Sequence, residues 1–175
     1  MTESKSRRIL LVEDEPILAM TEKIQLEKYG YSVKTASTGE KAVETVSTSN
    51  DIDLILMDIN LGTGIDGTQA AQIILQDHDI PIVFLSSHTD PEVVEKTEKI
   101  TSYGYVVKNS RITVLDASIK MAFKLFDANR KKNETLRLME ITNKHVPGVI
   151  YQYKMNNNGS ASFPFTTQGI WNIFE

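Results

Sequence analysis

Acidic, hydroxyl and ammonium side chains stand at the ends of short apolar runs in this chain. Glu13, Asp14 and Glu15 follow "RILLV" (8–12), and Asp58 and Asn60 follow "DLILM" (53–57). Ser86 and Ser87 follow "PIVFL" (81–85), and Lys108 follows "GYVV" (104–107). A carboxylate at the end of a buried run is costly unless a partner meets it. Carboxylates gathered together raise one another's pKa unless a cation joins them. Hard oxygen donors in an open site suit Mg²⁺, which keeps several waters and takes one or two carboxylates plus a phosphate. A carboxylate such as Asp58 is also a competent nucleophile toward a phosphoryl group. Phosphoryl transfer needs mostly positioning and charge neutralisation, which Mg²⁺ and Lys108 would supply, with Ser86 hydrogen-bonding a phosphoryl oxygen.

That chemistry requires the four run ends to meet, and the pattern of elements says how. "RILLV" reads as a buried strand. Pro16 opens and Gly30 closes a helical pattern over 17–29, following the preference for proline early and glycine late. "YSVKTA" (31–36) alternates like a strand, and Thr38 caps a helix to about Ser47. Residues 66–77 carry Ala70, Ile73 and Ile74 at helical spacing. Asp90-Pro91 starts another helix, with Asp90 as N-cap and Pro91 at the first helical position. A long helix begins near Ile112. Five strands alternating with helices predict an α/β fold, a (βα)5 doubly wound parallel sheet of the flavodoxin-like kind. Continuous apolar strands imply a sheet covered on both faces, and ligands in such folds sit at the carboxyl ends of the strands.

The motifs "ILLVEDEP", "LILMDINL", Asp66-Gly67, "PIVFLSS" and "GYVVK", in this order and on these strand ends, resemble a response-regulator receiver (CheY-like) domain of two-component signalling. The resemblance spans 7–125. It implies Asp58 as phosphoacceptor, Glu13 and Asp14 as the acidic pair that holds Mg²⁺ with Asp58, and Asn60 as a backbone carbonyl ligand. It implies Ser86 as the switch hydroxyl, Tyr105 as the switch aromatic, and Lys108 as the phosphoryl contact. The partner it implies is a histidine kinase or phosphotransfer protein. Two positions depart from the family pattern. Asn109 stands where proline, often with a cis peptide, usually follows the lysine; a cis bond before a non-proline residue costs about 2.5–4 kcal/mol. Ser87 stands where alanine or glycine is usual. Asn109 motivates an alternative reading, a degenerate receiver acting as a phosphorylation-independent interaction and dimerisation scaffold.

Each residue alone has a plainer account: Asp14 as a helix cap, Asp58 as a turn residue, Lys108 as a solvated lysine, Tyr105 as core packing. Their agreement across five motifs at four strand ends favours the site. The glycines of "GTGIDG" (62–67) follow the wrong strand for a dinucleotide fingerprint, and no Walker A motif is present. His78, His88 and His145 lack metal-ligand spacing.

Beyond the receiver, Leu115, Ile119, Ala122, Phe126, Asn129, Asn133 and Leu136 form a heptad-like seam with polar interruptions; its first half, 112–125, is expected to pack on the sheet, and 129–134 to be a solvated connector. Residues 126–143 are expected to be a helical linker, and the 112–140 helix a possible homodimer contact. Residues 144–175 predict a hairpin, with strands over 149–153 and 162–165 and a helix or turn from Ile170, and resemble the opening of a PAS domain. Such a module implies a larger output, including a receiver regulating a PAS sensor histidine kinase in cis. No kinase or cyclase motif is found in this chain.

The composition is 41% hydrophobic and 24% charged, with net charge −4 and no cysteine, over 175 residues. It fits a globular protein, gives no reason to expect nucleic-acid contact, and excludes thiolate chemistry. "MTESKSRR" lacks the apolar core of a secretory signal, and no run approaches a membrane span, so the chain reads as cytoplasmic.

Overall fold

The computed structural model describes residues 6–49, 51–87, 100, 103–108, 110–145, 151–156 and 159–166. Five strands, β1 (Arg8–Val12), β2 (Ser32–Ala36), β3 (Leu54–Asp58), β4 (Ile82–Ser86) and β5 (Tyr105–Val107), form one parallel sheet in the order β2-β1-β3-β4-β5. Helices α1 (Pro16–Lys28), α2 (Gly39–Thr48) and α3 (Gly67–Asp77) follow β1, β2 and β3, and the long α4 (Ile112–His145) follows β5. This is the flavodoxin-like α/β fold that the alternation of runs predicts. The helix expected from Asp90-Pro91 lies outside the described residues.

The central strands β1, β3 and β4 are apolar on both sides because each side has its own core. Leu10, Ile55, Met57 and Phe84 pack with Ala42 and Val46 of α2 and Ala70 and Ile74 of α3. Ile9, Leu11, Leu56 and Val83 pack with Leu26 of α1 and Leu115, Ile119 and Ala122 of α4. A buried Leu or Ile contributes roughly 1.5–3 kcal/mol, so the sheet is clamped between two apolar layers. Local signals set the ends. Thr38 accepts from Lys41 N at the start of α2, and Asp66 and Gln69 form a reciprocal capping box at the start of α3. Pro16 sits in the first turn of α1, and Gly30, at φ +90°, follows its last turn.

Two strand ends differ from the sequence reading in a way that matters. Asp58 and Ser86 are the last residues of β3 and β4, not the first beyond them. The ladder continues one residue because Asp58 pairs with Leu85 and Ser86 with Val107. The expected seam of α4 divides: Leu115, Ile119 and Ala122 are buried against the sheet, whereas Asn129, Asn133 and Leu136 are exposed. The run 129–134 is helical and solvated.

The chain forms two compact units, residues 1–128 and 129–175. In the second, β6 (Tyr151–Met155) and β7 (Ala161–Thr166) pair antiparallel, displaced by up to two residues from the expected strands. The helix or turn expected from Ile170 lies outside the described residues. No helix among the described residues is long and apolar enough to cross a membrane.

Candidate functional site

In the order β2-β1-β3-β4-β5 the chain direction across the sheet reverses between β1 and β3, and a crevice opens there at the carboxyl ends. β1 delivers Glu13 and Asp14 to that rim, and β3 delivers Asp58. The carboxylate oxygens of Glu13, Asp14 and Asp58 lie within 4.8 Å of one another. Glu13 and Asp58 are buried and Asp14 is partly exposed. Asp14 is therefore not the cap of α1: Glu15 occupies that position and makes no side-chain cap bond. The Glu13 carboxylate turns back instead, and its Oε1 accepts from Glu15 N at 3.2 Å.

Lys108 comes from two strands away. Its own N–H donates to Ser86 O at 2.7 Å, which fixes the backbone past β5 against β4. The side chain, only 6% exposed, places Nζ 2.6 Å from Asp58 Oδ2 and 2.6 Å from Glu13 Oε2. Asp58 Oδ1 accepts from Asn60 N at 3.1 Å. Both Asp58 oxygens are thus held, one by a fixed backbone donor and one by a cation. Asn60 contributes its amide there, while its side chain is exposed. Ser86 is buried on the strand next to Asp58. Tyr105 pairs in register with Phe84 and packs partly buried against the α2 and α3 side of the sheet. Ser87 is exposed, and Asn109 lies outside the described residues.

Electrostatics follow from two buried acids and a third acid sharing one lysine. Burial raises the Asp58 carboxyl above the usual range, against the stabilising hydrogen bond and charge of Lys108. Burial raises Glu13 likewise, again opposed by Lys108 and aided by the charge of Asp58. Burial works against the Lys108 ammonium too, but its hydrogen bonds to Asp58 and Glu13 outweigh that and raise its pKa. The pocket is short of positive charge. Three hard oxygen ligands at this spacing, with a part-open face at Asp14, fit a divalent cation of the Mg²⁺ type. Asp58, at the junction of acids and lysine, has the surroundings of a nucleophile whose product carries extra negative charge.

The structure also shows what the Asp66-Gly67 motif does, and one residue, Glu40, that the motif reading passed over. Gly67 N donates to Ile59 O at 3.0 Å, and α3 starts hard against the end of β3. A Cβ on Gly67 would fall on the Asp58 carbonyl oxygen, 2.8 Å from its carbon. The Asp66-Gly67 pair therefore does more than turn the chain: aspartate caps the helix and glycine admits the strand that carries Asp58. Glu40 of α2 accepts from Ile65 N at 2.8 Å and pins the loop between them. Nothing in the spacing of the sequence points to Glu40.

Comparison with known proteins agrees with this arrangement. The response regulator receiver domain family matches residues 9–120. The transcriptional regulatory protein PdtaR of Mycobacterium tuberculosis is 32% identical over 121 residues, covering 69% of this chain and 58% of that protein. The probable transcriptional regulator ycf27 of Cyanidium caldarium is 30% identical, over 73% of this chain and 51% of its own length. The chain thus spans little more than half the length of these relatives. Among solved structures, the N-terminal domain of a response regulator/sensory box/GGDEF 3-domain protein from Carboxydothermus hydrogenoformans is 50% identical. It covers 70% of this chain and 98% of its own, with TM-score 0.66. The signal receiver domain of a modulated diguanylate cyclase from Desulfovibrio desulfuricans G20 is 31% identical, covering 71% and 99%, with TM-score 0.65. The fold, the acidic crevice with its lysine, and these matches make the chain a member of the response regulator receiver domain family of two-component signalling.

Proposed function

We propose that residues 7–125 form a working phosphoacceptor, modified on Asp58 with Mg²⁺ held by Glu13, Asp14, Asp58 and the Asn60 carbonyl. The observation that carries this reading is the Lys108 ammonium bridging Asp58 and Glu13 beside a third carboxylate. The donor is a phosphohistidine of a histidine kinase or phosphotransfer protein. An Asp58 oxygen forms the new P–O bond as the donor's N–P bond breaks, and the donor imidazole leaves with the electron pair. Bound Mg²⁺ supplies charge neutralisation for the transferred group. Lys108 releases Asp58 Oδ2 and keeps its charge on a phosphoryl oxygen, which a long mobile ammonium does at little cost. The Ser86 hydroxyl turns to another phosphoryl oxygen, and Tyr105 follows inward. The result is a shift between two pre-existing states. The buried ion pairs of Lys108 favour this reading over the scaffold alternative, which has no use for a cation held between two buried acids.

The output reading is that α4 carries the change from the receiver, through a linker at 126–143, toward a sensory region that begins at 144–175. The antiparallel pair β6 and β7 and the sensory box in the Carboxydothermus protein support it. Exposed Leu136 and Met139 suit association of two copies along the part of the 112–140 helix that leaves the sheet. Control of a histidine kinase in cis is a variant of the same output.

Incubation with acetyl phosphate and Mg²⁺ followed by intact mass measurement tests the core of the proposal. One added phosphoryl group, dependent on Mg²⁺ and lost in Asp58→Asn, is expected. Mg²⁺ binding without any adduct, from acetyl phosphate or from a phosphorylated kinase, would return the scaffold reading.

A further inference from the structure

Glu22 is a part-buried acid, one carboxylate oxygen of which is shut off from solvent, that neither the core nor the proposed chemistry uses. It lies on α1 one turn before Leu26, whose side chain is fully buried between the sheet and α4. Residues i and i+4 share a helix face, so Glu22 points its stem into the same layer. Side chains on a helix lean toward its N-terminus, and the N-terminus of α1 is at the rim, next to Glu13. Glu22 Oε2 is shut off from solvent and has no hydrogen-bond partner among the described residues. A carboxylate so placed is costly, and the cheap remedy is a proton.

The charges around it have one dominant sign. Glu13 and Asp58 act on it from the ends of β1 and β3, and Lys108 opposes them from beyond β5. The buried acid of α4, Asp116, is occupied by Tyr31 Oη at 2.8 Å and Lys120 Nζ at 2.7 Å. Burial, then the charge of Glu13, push the Glu22 carboxyl up to about 7, with Lys108 pulling the other way.

We propose that Glu22 is a proton-linked control on the carboxylate pocket, protonated while Glu13, Asp14 and Asp58 share only Lys108, and deprotonated to solvent when a divalent cation joins them. This rests on the reading of that pocket as a Mg²⁺ site. An added cation favours the ionised form of a nearby acid, and coupling between two binding events is reciprocal. Mg²⁺ affinity therefore rises with pH as Glu22 ionises. Each unit by which the cation lowers the Glu22 pKa makes the change in affinity up to about tenfold.

The test is Mg²⁺ affinity by calorimetry at pH 6, 7 and 8, for the wild type and for Glu22→Gln and Glu22→Leu, in two buffers that count released protons. Wild type and Glu22→Gln should agree at pH 6 and separate several-fold by pH 8, with the wild type tighter and releasing more protons at pH 7. Glu22→Leu should follow Glu22→Gln, which keeps the test open if either variant folds poorly. An infrared band of a protonated carboxyl that titrates near neutrality without metal should vanish in both variants. Parallel affinity curves for wild type and variants overturn the role of Glu22 and leave the metal site intact. Failure of the wild type to bind Mg²⁺ at any of these pH values overturns the metal reading and this proposal together.

Discussion

Gly67→Ala should damage the site without touching any charged group. The new Cβ would overlap the Asp58 carbonyl oxygen, and would stand 2.8 Å from the carbonyl carbon and 3.0 Å from Met57 Cγ. Carbon atoms in good contact are about 3.5–4.0 Å apart, so α3 and the end of β3 must part by ~1 Å. Neither side yields freely. Ile59 N is bonded to Leu85 O, and Gly67 N to Ile59 O. Overpacking of this kind costs roughly 1–3 kcal/mol. The functional loss should be larger than that stability loss implies, because Asp58 is held by contacts of 2.6 Å to Lys108 Nζ and 3.1 Å to Asn60 N. A misplacement of about 1 Å in a reacting group costs on the order of 10²-fold in rate. Gly30→Ala is the matched control. Gly30 has φ +90° and nothing within 4 Å of an added Cβ, so alanine there pays only for its left-handed backbone, about 1–2 kcal/mol. Urea unfolding and the initial rate of acetyl phosphate labelling, measured on both variants, separate the two effects. Gly67→Ala labelling as fast as the wild type, or no slower than Gly30→Ala at equal folded fraction, would refute the close approach of α3 to β3 as a positioning device.

Other expectations follow from the same coordinates. Lys108→Ala strands Glu13 and Asp58 as buried carboxylates, and breaking such a pair costs about 3–5 kcal/mol. That loss at pH 7 should shrink toward pH 4.5 as the acids protonate; an equal loss at both pH values in denaturant melts would contradict it. In the wild type the raised Lys108 pKa puts its stabilisation fully in place below the usual lysine value and removes it only as pH climbs through the folded one. Added Mg²⁺ should raise the melting temperature of the wild type, with about 2.7 kcal/mol at a hundred times the dissociation constant, and Asp58→Asn should respond much less. Asp66→Ala removes the capping box of α3 and should cost about 1 kcal/mol, visible as a lower urea midpoint with an unchanged slope.

The sheet and the rim of the site were legible in the sequence because the physics there is one-dimensional. A parallel strand buried on both faces must be a continuous apolar run, so its polar end marks the rim. Glu13, Asp14, Asp58, Ser86 and Lys108 could be named as rim residues for that reason. What sequence could not give was register: whether Asp58 ends the strand or follows it depends on its pairing with Leu85. It did divide the helical seam, giving its first half, 112–125, to the sheet. Leu115, Ile119 and Ala122 have the same 4-3 spacing whether they face a sheet or a second helix, and the sheet claims them. Periodicity gives a face, not the identity of what covers it.

Glu22, and the reason the Asp66-Gly67 motif needs its glycine, were illegible for an opposite reason. Their significance comes from groups distant along the chain: Glu13, Lys108 and Asp58 for the first, the carbonyl of Asp58 for the second. A glutamate in a helix is an ordinary helix former, and a glycine after an aspartate is an ordinary turn. Only the packed structure shows that one has a carboxylate oxygen shut off from solvent and the other has no room for a methyl group. The two also act on the same atom set by different routes. Gly67 fixes where Asp58 stands, while Glu22 alters the charge that Asp58 and its neighbours offer to a cation. Exchange of Glu22 should therefore leave the motif string of the receiver family intact and still change the behaviour of the site. A receiver cannot be judged active or inactive from its acidic pair, aspartate and lysine alone.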